Sequence, residues 1–244
     1  MARFLLKIAY DGTAYHGWQV QNNAVTVQEV LGNGLTKIIK ENTGVTGCSR
    51  TDAGVHANEF FCHFDCYRNI PEVAFVKGLN SILPNDIVVL ECKTVDEDFH
   101  ARYSSKGKNY IYKFYDSEQR NPFLNNRALY VPQKLNVDRI NTFCKNLIGE
   151  YDFIGFSSSG RTVTDTVRTI YDCNAIRNND EVVLSITGNG FLYNMVRIIA
   201  GTAIDVSDGK IDPNDTVRLI KAKDRSLLGP TVSPYGLYLN KVFY

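Results

Sequence analysis

In the run Ser49-Arg50-Thr51-Asp52-Ala53-Gly54-Val55-His56-Ala57, one carboxylate, Asp52, stands two residues from one guanidinium, Arg50, inside a turn of small residues. Apolar, strand-like text lies on both sides. The arginine favours the charged form of the acid, and the small neighbours let a flat ligand approach it. An acid held ionised in this way suits a nucleophile or a base. The same residues also spell an Asx turn with a surface ion pair.

Arg197 is the second chemical oddity, because it lies in a stretch that is apolar nearly all round. At helical spacing its neighbours are Tyr193, Asn194, Ala200 and Gly201, and none is an acid. A buried guanidinium needs a carboxylate or several acceptors, so its partner comes from a distant segment or the side chain reaches solvent. Asp52 is the attractive partner. In Lys106-Gly107-Lys108-Asn109-Tyr110-Ile111-Tyr112-Lys113-Phe114-Tyr115, bases and aromatics interleave. On a strand Tyr110, Tyr112 and Phe114 share a face, a pattern that fits a core strand as well as a surface for stacking an unpaired base. Tyr112 and Phe114 are read as core. Tyr110, at the strand start, is the one read as free to meet a ligand.

Other chemistries find less support. His16 and His56 have no serine or cysteine arranged for a nucleophilic triad. The glycines of Gly188-Asn189-Gly190 do not have dinucleotide-binding spacing, and there is no Walker loop. Cys62 and Cys66 share strand parity with Phe64, whereas His63 points to the opposite face, so these residues do not make a zinc site.

These residues need a scaffold. Residues 3–10 read as a strand. Val27, Val30, Leu31, Leu35 and Ile38 recur at helical spacing and predict a helix over 27–40 with Thr26 as its N-cap. Strands over 45–48 and 59–66, a helix opened by Pro71 and running to 82, and a strand over 87–94 complete a β-α-β-β-α-β order. The second stretch repeats it: a strand over 109–116, a helix over 137–148, a loop, strands over 166–176 and 182–188, helices over 191–206 and 213–222, and a strand over 236–244. The repetition predicts an α+β fold of two ferredoxin-like split-βαβ halves. Antiparallel sheets carry helices mainly on one face, and the halves join around a central cleft where a ligand site is expected. The boundary falls near Ser104-Ser105-Lys106-Gly107, giving 1–105 with the Asp52 loop and 106–244 with the Tyr110 strand and the Arg197 helix.

Composition sets the outer bounds. The 244 residues are 44% apolar and 22% charged, with a net charge of +1, which reads as an ordinary globular protein. No stretch is apolar for long enough to cross a bilayer, and Lys7 interrupts the N-terminal apolar run too early for a secretory signal. The six cysteines form no Cys-x-x-Cys pair and are read as reduced, mostly buried thiols of a cytoplasmic protein. Charge is unevenly placed. Residues 86–98 hold five acids and one lysine, whereas 101–115 hold Arg102, Lys106, Lys108 and Lys113 and no acid. That asymmetry fits a basic face on a neutral protein, or a solvated strand and loop.

From end to end the chain resembles the tRNA pseudouridine synthase A family. The resemblance rests on Tyr10-Asp11-Gly12-Thr13 with Gly17-Trp18-Gln19, on 50–57, on Phe99-His100-Ala101-Arg102, on Tyr110 and Tyr112, on Gly190-Phe191-Leu192-Tyr193-Asn194-Met195-Val196-Arg197, and on Gly236-Leu237-Tyr238-Leu239. It implies a pseudouridine synthase fold and conversion of uridine to pseudouridine at positions 38, 39 and 40 of the tRNA anticodon stem-loop. It further implies Asp52 as the catalytic aspartate, Tyr110 as the active-site tyrosine, Arg197 as the arginine paired with that aspartate, and Arg50 as a residue that binds or flips the nucleotide. A homodimer is the implied assembly. The isomerisation is redox-neutral and calls for no cofactor, metal or ATP. Arg102, Lys106 and Lys108 are expected to grip phosphates, and a paired uridine must leave its stack to react. Attack at C1′, attack at C6 and a deprotonated ribosyl intermediate all fit an ionised carboxylate. Two departures from the family stand out: Ser49 stands for a glycine, and Val232-Ser233-Pro234-Tyr235 for a lead-in richer in alanine and proline. A non-catalytic RNA-binding module would need the basic, aromatic face without Asp52. A metal-dependent hydrolase would need clustered ligands.

Overall fold

The computed structural model describes residues 1–160 and 164–244. The loop read ahead of residue 166 includes 161–163, which lie outside the described residues. In chain order the strands are β1 (Ala2–Tyr10), β2 (Thr46–Gly47), β3 (His56–Cys66), β4 (Ile87–Val95), β5 (Gly107–Tyr115), β6 (Leu129–Tyr130), β7 (Gly149–Asp152), β8 (Val167–Asn178), β9 (Glu181–Gly188) and β10 (Leu237–Phe243). The helices are α1 (Val27–Ile39), α2 (Glu72–Asn80), α3 (Val137–Leu147), α4 (Met195–Ser207) and α5 (Thr216–Ala222). The protein is mixed α/β with mostly antiparallel strand pairing. It divides into two compact units, Met1–Lys106 with Tyr238–Tyr244, and Gly107–Leu237.

In the first unit the strand order is β4-β1-β3-β10, with β2 also on β3. β1 pairs antiparallel with both β3 and β4, from Ala2 opposite Cys66 to Tyr10 opposite Ala57. β10 runs parallel to β3 at Tyr238–His56 and Leu239–Ala57, which ties the chain's last strand to the first unit. The alternation in β1 buries Phe4, Leu6, Ile8 and Tyr10, and Cys62, Phe64 and Cys66 of β3 join them. Phe4, Phe64 and Phe75 of α2 form a three-ring cluster with centroids 4.9–5.5 Å apart. Each such fully buried side chain contributes roughly 1.5–3 kcal/mol. α1 starts where its N-cap predicts, with Thr26 Oγ1 accepting from the Glu29 N–H. It packs on α2, where Gly34 admits the Leu79 side chain.

In the second unit the order is β5-β9-β8-β7, with β6 on the other side of β5. β5 and β9 pair without interruption from Lys108–Gly188 to Tyr115–Glu181. Tyr112, Phe114, Leu184, Ile186 and Cys173 are buried in the sheet, together with Phe143 and Cys144 of α3 and Ile198 and Ile199 of α4.

Several boundaries differ from the sequence reading, and three of the differences have a clear local cause. β3 opens at His56 rather than 59, because β1 and β10 pair with its first residues. β7 falls where a loop was expected: its few residues carry no alternation and become a strand only by pairing with β8. α4 opens at Met195 rather than 191, because its N-cap, Asn194, is in the left-handed region (φ 61°) and the residues before it turn back.

Candidate active site

The Asp52 loop links β2 to β3. Thr51 is buried, Asp52 half-buried, and Arg50 and Ala53 exposed. The loop closes on itself through a bond from the Val55 N–H to the Asp52 carbonyl (3.1 Å), and Gly54 turns it with φ 79°. Residues 10–18 form its underside. The Trp18 N–H donates to the Thr51 carbonyl (3.2 Å), the Gly54 N–H donates to the Tyr15 carbonyl (3.2 Å), and the Tyr10 hydroxyl meets Thr51 Oγ1 (2.9 Å). The two backbones are in direct contact. A Cβ on Gly12 would lie 1.9 Å from the Val55 carbonyl oxygen, and one on Gly17 (φ 83°) would lie 2.3 Å from the Thr51 carbonyl oxygen.

Side chains wedge this arrangement. Trp18 stacks on Phe60 with centroids 4.1 Å apart. The Tyr15 hydroxyl donates to Asp86 (2.5 Å), and burial together with that carboxylate raises the phenol's pKa well above its usual value. His56 is structural: its Nδ1 accepts from the buried Gly12 N–H (3.1 Å), and its ring stacks on Tyr238. Asp11 Oδ1 approaches the same nitrogen at 3.0 Å. Asp11 Oδ1 also accepts from the Thr13 N–H and hydroxyl.

Arg102 and Lys106 also lie in the first unit, both exposed, at and just after a turn that follows β4. His63 sits under that turn, where its Nδ1 accepts from the Ala101 N–H (3.1 Å). Burial, then the charges of Arg3 and His100, lower its pKa from 6.5 to about 4 against the opposing pull of Asp65. His63 points away from Cys62 and Cys66, as the strand parity requires, and among the described residues no three His, Cys, Asp or Glu side chains gather as a metal site.

The second unit holds Tyr110, Lys108 and Arg197. Tyr110 is buried with Tyr112 and Phe114, and its ring meets Phe191 edge to face at 5.1 Å. Arg197 is half-buried in α4. Its Nε donates to the Val232 carbonyl (2.8 Å), and one terminal nitrogen donates to Asn194 Oδ1 (2.7 Å). Asn194 in turn donates to Ser158 Oγ (3.0 Å). Close packing brings the 229–233 segment along α4: a Cβ on Gly201 would lie 1.9 Å from the Pro230 carbonyl oxygen. The Tyr112 hydroxyl donates to the next carbonyl, Ser233 (2.7 Å), and burial holds its phenol protonated despite the charge of Arg197.

Within its own unit Arg197 thus donates to two neutral oxygens, those of Val232 and Asn194. The signal for the Asn194 contact was its i, i+3 spacing from Arg197; the Val232 carbonyl leaves none. The departures from the family pattern bear on this site only mildly. Val232 and Ser233 act through backbone carbonyls that any residue supplies. Ser49 does not have a positive φ, so replacing glycine there needs no strained backbone. The residues that sequence reasoning left without a role are Tyr10, Gly12, Tyr15, Gly17 and Trp18.

Comparison with known proteins adds a separate line of support. A family model described as tRNA pseudouridine synthase matches residues 7–104 and 143–244, which include Asp52 and Arg197. The chain is 45% identical to tRNA pseudouridine synthase A of Ruminiclostridium cellulolyticum over 245 residues, covering 100% of both. It is 45% identical to the protein of that name from Caldicellulosiruptor saccharolyticus and 43% identical to that from Lacticaseibacillus casei, again over 100% of each chain.

Proposed function

The chain belongs to the tRNA pseudouridine synthase family, and from that premise we propose that it isomerises uridine to pseudouridine at positions 38, 39 and 40 of the tRNA anticodon stem-loop, with Asp52 as the catalytic group. The observation that carries this reading is the Asp52 loop itself. A half-buried carboxylate is held on a turn whose backbone is bonded to Tyr15 and Trp18 and rests directly on Gly12 and Gly17. Such rigidity places a reacting group without reorganisation at the moment of reaction.

In the reaction the C1′–N1 bond breaks, the uracil turns over, and a C1′–C5 bond forms. N1 ends with a proton and C5 releases one. The change is redox-neutral and needs no external electron donor. The Asp52 carboxylate serves as nucleophile or base. Tyr110 stacks on the uracil, Arg50 helps to draw the nucleotide from its stem, and Arg197 holds the site's negative charge. Arg102, Lys106 and Lys108 take phosphates, which makes binding salt-sensitive.

We assign the Asp52 loop to a functional half spanning 1–105 and the Tyr110 strand and Arg197 helix to 106–244, each a ferredoxin-like split-βαβ arrangement. The strand orders β4-β1-β3-β2 and β5-β9-β8 support that assignment. The enzyme acts as a homodimer in the cytoplasm, which sedimentation of the purified protein tests. No helix among the described residues is long and apolar enough to cross a membrane.

Release of tritium from C5-labelled uridine in tRNA tests the activity. The wild-type protein is expected to release the label, and Asp52→Asn to bind tRNA with near-unchanged affinity and release none. Near-normal release by the variant would remove Asp52 from the chemistry.

A further inference from the structure

The 99–104 turn is held more firmly than its exposed position requires. Arg3, which pairs with Asp65 through Nε and one terminal nitrogen, donates from its other terminal nitrogen to the carbonyls of Glu97 (2.5 Å) and Phe99 (3.0 Å). The Ala101 N–H is bonded to His63 Nδ1 (3.1 Å), and the Tyr244 hydroxyl donates to the Ala101 carbonyl (2.7 Å). The turn also binds itself. His100 Nδ1 accepts from the N–H groups of Arg102 (3.1 Å) and Tyr103 (3.2 Å), and Ser104 is bonded to the His100 backbone at both its hydroxyl and its N–H.

This clamp presents two side chains to solvent. Tyr103 is 78% exposed, and its ring is tilted 31° against that of His100 with centroids 4.3 Å apart. Beside it, the exposed Arg102 guanidinium makes no ion pair among the described residues, and Lys106 follows on the same side of the sequence with no acid through Tyr115. A large aromatic left exposed gains nothing for the fold, and fixing its orientation removes rotamer freedom in advance of binding. A fixed π-face beside unpaired cations is the equipment for stacking an unpaired base while gripping its phosphate.

We propose that the 99–104 turn is a tRNA-contact element in which Tyr103 stacks on an unpaired base of the substrate and Arg102 takes an adjacent phosphate. His63, His100 and Arg3 are its positioning residues. The proposal rests on the reading of the protein as an enzyme acting on tRNA.

The test measures tRNA affinity by equilibrium binding, and kcat and KM by tritium release, for the wild-type protein and for Tyr103→Ala, Tyr103→Leu, Tyr103→Phe and Arg102→Gln. Loss of one stacked base is expected to raise Kd and KM about tenfold in Tyr103→Ala. Tyr103→Leu is expected to do the same, Tyr103→Phe to stay near wild type, and kcat and the thermal midpoint to stay unchanged in all three. Arg102→Gln is expected to weaken binding and to reduce the salt slope by about one. Wild-type Kd and KM in Tyr103→Ala would overturn the proposal. So would recovery by leucine, or a change in self-association with tRNA binding intact, which would make the ring a protein contact. If the wild-type protein releases no tritium, the activity reading falls separately, and the binding comparison still decides the turn.

Discussion

Gly12 lies so close beneath the Asp52 loop that a Cβ on it would come within 1.9 Å of the Val55 carbonyl oxygen. The obstacle is backbone, which cannot swing aside as a flexible side chain can. Gly12→Ala is therefore expected to push the loop away from residues 10–18, costing roughly 1–3 kcal/mol of stability by overpacking. Turnover should fall by more than that loss of stability explains, because a displaced carboxylate is misaimed. Denaturant unfolding and tritium release, read together, check this. Wild-type turnover in the alanine variant would show that the loop's position is not critical.

Tyr110 and Phe191 meet edge to face, a contact that phenylalanine at 110 preserves. Tyr110→Phe should therefore unfold at the wild-type denaturant midpoint. If the hydroxyl moves a proton at C5, kcat falls at least tenfold while KM for tRNA stays within about twofold. An unchanged kcat would leave Tyr110 as a stacking surface alone.

Arg197→Met strips the Val232 carbonyl of its donor and breaks the bond to Asn194. An orphaned polar group of this kind costs about 1–3 kcal/mol, so the variant should lose stability together with turnover. Arg197→Lys restores the charge but not the planar fork, and it should regain part of the stability without the activity. Urea midpoints and single-turnover rates separate the two effects. A fully stable, fully active Met variant would show that neither contact matters.

His63 makes stability depend on pH. Its folded pKa is about 4 against 6.5 for a free imidazole. Between those values the unfolded chain binds a proton that the folded chain refuses, so stability is complete above about pH 6.5 and falls as the pH drops toward 4. The groups facing it are Arg3 and His100, which oppose protonation, and Asp65, which favours it. Allowing for solvent screening, the loss is on the order of 1–2 kcal/mol. Unfolding of wild type and His63→Gln at pH 7.5 and pH 4.5 isolates this contribution from the carboxylates that titrate alongside. Folded His63 takes up its proton only near and below about pH 4, so the Ala101 bond, and tRNA affinity with it, should hold through the interval above and weaken only there. Equal pH slopes in the two proteins would place the acid sensitivity elsewhere.

Much of this molecule is legible in one dimension. Strand alternation in 2–10, helical spacing after Thr26 and the turn chemistry at Gly54 depend on near neighbours, and each element formed close to where its residues place it. Asp52, Tyr110 and Arg197 stand out because a charged or aromatic group among small or apolar neighbours is a local anomaly. Other features needed three dimensions. Gly12 and Gly17 give no chemical signal, and their role exists only because two backbones separated by some forty residues touch. β7 is a strand only through β8, and Arg197 donates from Nε to a carbonyl 35 residues away. The exposed Tyr103 looks like any surface tyrosine until Arg3, His63, His100 and Tyr244 are seen to hold its turn. Sequence specifies which groups are unusual; only chain folding decides which backbone atoms come near enough to hold them.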